Sequence, residues 1–176
     1  MANGETRPKH GNDPLRQMAQ CHEKIAGHLD RLGALAAAGD GATGEMEAAL
    51  PSIVRWFETN GHRHRIDEEQ SLFPRLAACA AGDPEITAAL RALAAEHGQE
   101  DALVAELAAV ARSLPDGGLA GKLAREAARR FVAHFRRHMD IEDRVVLPRA
   151  ARELGTADLE VIAAEMESRR ADASCS

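Results

Sequence analysis

Tyrosine is absent, tryptophan occurs once and phenylalanine four times, so aromatics make up only 3 % of the 176 residues. β-Branched residues are sparse too, while alanine and leucine dominate. Strands favour the scarce residues and helices the abundant ones, which excludes a sheet-based architecture and predicts an all-α chain. The three cysteines, Cys21, Cys79 and Cys175, are odd in number and show no C-x-x-C spacing. A disulfide framework and a zinc ribbon are both excluded, and reduced thiols without an obvious nucleophile are expected. No run approaches the ~20 apolar residues of a membrane span, and the opening MANGETRPKHGNDP lacks the apolar stretch of a secretion signal. A soluble, cytoplasmic protein with no membrane partner is the expectation. The net charge of −6 argues against nucleic acid as a partner. Basic clusters such as Arg129-Arg130, Arg136-Arg137 and Arg169-Arg170 alternate with acids and read as solvated helix faces.

What is present comes twice. Residues 62–76 read HRHRIDEEQSLFPRL and contain His64-x-x-x-Glu68; residues 134–150 read HFRRHMDIEDRVVLPRA and contain His138-x-x-x-Glu142. Four residues are a little over one helical turn, so imidazole and carboxylate leave the same face and can address one metal centre. In both copies a proline follows the histidine by ten residues (Pro74, Pro148) and a phenylalanine precedes it by seven (Phe57, Phe131). His22 precedes His64 by 42 residues, and His97 precedes His138 by 41. The chain is two related halves, each supplying His … His-x-x-x-Glu.

The rest of the pattern is helical punctuation. Residues 1–13 read as a disordered tail, and Asp13-Pro14 starts a first helix whose seam is Leu15, Met18, His22, Ile25, Leu29 and Leu32. GDGAT (39–43) ends it. A second helix is expected from about Thr43, with Pro51 and Gly61 as weak points and Pro74 as its end or a bend. Asp83-Pro84 starts a third helix through Leu90, Leu93, His97 and Leu107. Pro115 to Gly118 form a turn before a fourth through Phe131, His138, Glu142 and Val145. Thr156 is expected to cap a short fifth helix over 156–170, followed by a tail over 171–176. Long amphipathic helices with short connections predict an up-down-up-down four-helix bundle over 14–155, with the short C-terminal helix packed on it.

A single histidine on an apolar seam is usually a hydrogen-bonded core residue. Here His22, His64, His97 and His138 all lie on the seam, with Glu68 and Glu142 on or beside it. Two uncompensated buried carboxylates would cost several kcal/mol per ion, which cations remove. Two octahedral ions offer twelve coordination positions. Four imidazoles and two bridging carboxylates fill eight of them; a bridging oxo or hydroxo group takes two more and leaves two exchangeable. Imidazole with carboxylate suits two iron ions, with manganese as runner-up, whereas zinc prefers fewer ligands. Exchangeable positions in an apolar bundle suit dioxygen, peroxide or nitric oxide, and Phe57, Phe131, Leu93 and Ile141 are expected to wall that pocket. His134, one turn before His138, reads as packing or as an outer donor to a ligand rather than a fifth imidazole, because its counterpart is Asn60. Glu69 is expected to hydrogen-bond a ligand or face solvent.

These motifs resemble the hemerythrin-like family, in particular its bacterial HHE cation-binding branch. The matching pieces are CHEKI around His22, H-x-x-x-EE-x-x-LFP at 64–74, AEH at 95–97, H-x-x-x-E-x-x-x-x-LP at 138–148 and the closing EMESRR at 165–170. The resemblance implies a four-helix bundle around a non-haem di-iron centre with His22, His64, Glu68, His97, His138 and Glu142 as ligands. Two departures separate the chain from oxygen-carrying members. Asp101 replaces the second histidine of H-x-x-x-H on the third helix, and the fourth-helix acid stands four residues after its histidine instead of five. The iron-sulfur repair members carry an N-terminal cysteine pair that is missing here. The expected function is sensing of, or protection from, oxidative or nitrosative stress by a di-iron protein. The alternatives are catalase-like or oxidase turnover at the same centre and a metal-free helical interaction module. No protein partner can be named from these motifs.

Overall fold

The computed structural model describes residues 13–38, 43–114 and 119–174, all-helical with no strand among the described residues. Five helices follow in order: α1 (Pro14–Ala37), α2 (43–79), α3 (Pro84–Ser113), α4 (119–153) and α5 (Thr156–Ser174). Most of the expected tail (1–12), most of the GDGAT loop (39–42) and the turn at 115–118 lie outside the described residues. Two of the starts are built alike. Asp13 Oδ1 accepts the Leu15 and Arg16 N–H groups at 3.0 and 3.4 Å, and Asp83 Oδ1 accepts those of Glu85 and Ile86 at 2.9 and 3.3 Å. A proline stands at the first helical position in each, where its missing N–H is not needed. Between α2 and α3 the chain reverses through Gly82, whose φ of +93° disfavours any residue with a Cβ. Thr156 is already helical, and the Gly155 carbonyl accepts the Leu159 N–H, so the cap sits one residue earlier than expected. At its far end α5 continues through Ser174, past the expected stop at 170, because ADAS contains no proline or glycine to end it.

The prolines do not break α2 or α4. Pro74 was expected to end or bend α2, yet the helix runs on to Cys79, and Pro148 is likewise internal to α4. Each proline follows a π-helical turn, Glu68–Leu72 and Glu142–Val146. A proline ring collides with the carbonyl four residues back in a straight α-helix. The wider turn lets the preceding residue bond five back instead: Phe73 N–H donates to the Glu68 carbonyl, and Leu147 N–H to that of Glu142. Each turn therefore opens at the acid of an H-x-x-x-E motif. A third, Phe57–Gly61, ends at the glycine expected to weaken α2.

α4 packs against α1 and α3, and α2 packs against the same two. Buried apolar side chains form two clusters separated by a polar layer. α1 contributes Leu15 and Met18 to one cluster, then His22, then Ile25, Leu29 and Leu32 to the other. α3 crosses in the same order, with Leu90 and Leu93, then His97, then Leu107. α2 and α4 cross in reverse, from Ile53, Phe57 and Phe131 through the polar layer to Leu72, Leu76 and Val146. α5 adds Leu159, Ile162 and Met166 to the second cluster. It also holds the chain beside Glu68: Arg169 Nε donates to Asp67 Oδ1 at 2.7 Å, and Arg170 donates to Asp67 Oδ2 at 3.2 Å. Asp67 is buried, so this pairing compensates a carboxylate that would otherwise be costly to hold there.

Candidate metal centre

The polar layer brings together the six side chains singled out by the repeat. Ligand-type atoms of His22, His64, Glu68 and Glu142 all lie within 4.8 Å of one another, as do those of Glu68, His97, His138 and Glu142. Both carboxylates belong to both clusters, and their oxygens divide between the halves. Glu68 Oε1 is 3.0 Å from His64 Nε2, while its Oε2 is 3.4 Å from His97 Nε2. Glu142 Oε2 is 3.2 Å from His22 Nε2, and its Oε1 is 3.3 Å from His138 Nε2. Helical spacing explains the His64–Glu68 and His138–Glu142 pairs; the fold supplies the pairs across the halves.

The imidazoles are oriented from behind. His22 Nδ1 donates to Asp143 Oδ1 at 2.6 Å, His97 Nδ1 to Glu69 Oε1 at 2.7 Å, and His138 Nδ1 to Glu96 Oε2 at 3.1 Å. Cys21 is the neighbour of His64. With Nδ1 protonated and held by a carboxylate, Nε2 presents a lone pair inward, the tautomer a metal-binding histidine needs. Those lone pairs meet one another and the two carboxylates: His22 Nε2 and His64 Nε2 are 3.1 Å apart. Among the described residues, His97 Nε2 and Glu142 Oε1 are buried without a hydrogen-bond partner. Both glutamates are 2 % exposed, so positive charge is required at this point, as protons or as metal. Burial by itself lowers the imidazole pKa values, yet the facing carboxylates more than offset it. Glu142 raises His22, and Glu68 raises both His64 and His97. Glu142, Glu100 and Glu68 take His138 up to about 9. Burial alone would raise Glu68; His64 and His97 hold it well below the usual carboxylate range. The donor set fits cations.

The family model of the hemerythrin HHE cation-binding domain matches residues 13–150. The chain belongs to this family. No curated protein sequence matches it. The matched span of the HHE domain includes all six clustered side chains and ends before α5, which packs beside Asp67.

Around the clusters of this HHE domain the structure sorts the remaining expectations. Glu69 hydrogen-bonds His97, one of its two expected roles. His134 is buried but belongs to neither cluster; its Nε2 points at Glu100 Oε1 3.8 Å away, and burial lowers its pKa. Asp101 accepts a hydrogen bond from Arg65 at 2.7 Å. His28 is half-buried against Trp56, with ring centroids 4.8 Å apart. The pocket wall is corrected. A cavity reaching the clusters is lined by Phe57, Phe135, Ile25, Val104 and Met139, with Phe131 packed behind Phe57 at 4.8 Å. Leu93 and Ile141 pack in the apolar cluster on the other side of the polar layer. The sequence reading missed Asp143 and Glu96 behind His22 and His138, and it missed Glu100. That carboxyl is pushed up to about 7, chiefly by burial. The available signal was adjacency: an acid follows each motif glutamate, and Glu96 directly precedes His97.

Proposed function

We propose that the two clusters hold two metal ions, with Glu68 and Glu142 each giving one oxygen to each ion, His22 and His64 anchoring one and His97 and His138 the other. The observation that carries this reading is the sharing of two buried carboxylates between two histidine pairs whose Nε2 atoms face them at 3.0–3.4 Å. Imidazole and carboxylate together favour iron, with manganese second. The opposite order in which successive helices cross the apolar clusters supports an up-down-up-down bundle around the pair.

The pair would bind or react with dioxygen, peroxide or nitric oxide, in sensing or in protection from oxidative or nitrosative stress. Bound iron would supply redox-active positions for such ligands. The protein's part is to orient the imidazoles through Asp143, Glu69 and Glu96 and to surround the site with Phe57, Phe135 and Ile25. Protein purified without a histidine tag should carry two metal ions per chain. Its near-ultraviolet charge-transfer bands should vanish on reduction and shift with azide. Fewer than one metal ion per chain would leave a helical interaction module instead. Because the cavity opens from the surface onto the clusters, catalase-like turnover is the second reading. Steady-state oxygen evolution from peroxide, abolished in Glu142→Ala, would establish it, and stoichiometric consumption alone would count against it.

A further inference from the structure

Below a rim formed by Glu58, His62 and Asp101, the cavity runs inward to His64, Glu68, His138 and Glu142 with a volume of about 240 Å³. A water molecule's share of liquid volume is about 30 Å³, and an engineered apolar cavity of about 150 Å³ takes up benzene. A two- to four-atom ligand therefore fills a small part of this space. The walls are apolar, with Phe57, Val104 and Phe135 among them. Set into them is Glu100, whose side chain is 10 % exposed and whose Oε1 has no hydrogen-bond partner among the described residues. Its nearest nitrogens do not satisfy it. His134 Nε2 is 3.8 Å away, and His138 Nδ1, at 3.5 Å, is closer to Glu96. A deep slot with apolar walls and an unsatisfied acceptor set into them is the form of a small-molecule site. Asp101 at the rim is paired with Arg65, which leaves Glu58 and Glu100 to disfavour an organic anion along the walls, and metal ions at the floor would disfavour an organic cation. A neutral molecule remains.

We propose that this cavity binds a small neutral organic molecule, with an aryl or branched-alkyl body against Phe57, Val104 and Phe135 and a terminal O–H, hydroxyl or hydroperoxyl, donated to Glu100. This rests on the metal-centre reading for what lies at the floor, and it extends the ligand class beyond diatomics and peroxide.

Calorimetry on the full metal-loaded chain tests it, with cumyl alcohol as the probe and cumene as the same body without an O–H. Wild type should bind one cumyl alcohol with a Kd of about a millimolar or tighter. It should prefer the alcohol to cumene on the order of tenfold, a preference that Glu100→Leu erases. Val104→Phe, which fills the slot, should weaken binding at least about tenfold; Ala105→Phe at the rim repeats the test should the first variant fold poorly. Cumene hydroperoxide separates the two sources of the O–H. A rate of change in the metal-centre absorption that saturates with its concentration assigns the hydroperoxide, and a strictly linear rate assigns the alcohol. No binding of cumyl alcohol to wild type, or undiminished binding in both filled variants, overturns the proposal. Azide titrated into the same samples keeps the two readings apart. An azide response without alcohol binding removes this inference alone, and fewer than one metal ion per chain removes both.

Discussion

Raising the pH of metal-free protein from about 6 to about 9.5 should destabilise it, and His138 sets the scale. Burial would lower its pKa, but the facing carboxylate of Glu142, with Glu100 and Glu68, takes it from 6.5 to about 9. The folded value lies above the unfolded one. The protonated imidazole therefore stabilises the fold fully below about 6.5, and this contribution is lost as the pH climbs through 9. The gap of about 2.5 pH units corresponds to about 3 kcal/mol, or roughly 6–12 °C in Tm for a chain of this length. His22, His64 and His97 are displaced in the same direction. Glu68 is displaced downward, so its contribution is present above about 4.5 and is lost as the pH falls through its folded value. Glu100, raised to about 7, loses its contribution as the pH climbs from 4.5, so stability of the metal-free protein should be highest near pH 4.5 and fall from there through 9. Metal reverses the slope, because ions require deprotonated imidazoles: uptake releases protons, and apparent affinity rises about tenfold per pH unit for each proton displaced. Thermal melts followed by circular dichroism, on chelator-treated and metal-loaded samples in parallel, check both signs. A metal-free Tm that is flat or rising between pH 6 and 9 would refute the claim that protons occupy the place of cations among Glu68 and Glu142.

Three substitutions probe the layers around the centre. His138→Ala should lose metal, whereas His134→Ala should keep two ions per chain; equal loss by elemental analysis would place His134 among the ligands. Asp143→Ala frees the Nδ1 of His22 and should weaken metal binding about 10- to 100-fold in a chelator competition. An unchanged affinity would show that the 2.6 Å contact does not orient the imidazole.

The helices and the six clustered side chains could be read from spacing because each histidine interrupts a seam that is otherwise apolar, and a seam marks what faces inward. A seam does not say which side of a polar layer is open. Leu93 stands one turn before His97 and packs in the cluster with Leu15 and Val146; the cavity begins one turn after His97, at Glu100, Asp101 and Val104. The carboxylates behind the imidazoles were hidden for a different reason. Asp143 has a half-exposed side chain and Glu96 a 15 % exposed one, so by pattern both belong to a solvated face. Only the fold shows that their buried ends reach Nδ1 atoms. Nor could periodicity reveal the π-helical turns. Pro74 read as an end or a bend, yet it and Pro148 both sit inside continuous helices behind a widened turn at Glu68 and Glu142, which a strict 3.6-residue repeat cannot represent.

The outer contacts also show how the duplication works. Glu69, in the first half, holds His97 of the second; Asp143, in the second, holds His22 of the first. Each acid directly follows a motif glutamate, so both halves use the same position to orient a histidine of the other. Neither half can complete its imidazole set alone. The remaining pair breaks the equivalence. Glu96, the residue before His97, accepts from His138, while its counterpart before His22 is Cys21, which faces His64. A carboxylate raises the basicity of the imidazole it holds, and a thiol is a weaker hydrogen-bonding group. Glu100 and His134 add further polar groups to the second half, where the first has Asn60 at the position of His134. The two histidine pairs are therefore alike in their inward atoms and unlike in what stands behind them, and the cavity meets the polar layer where that difference is greatest, beside Glu100 and His138.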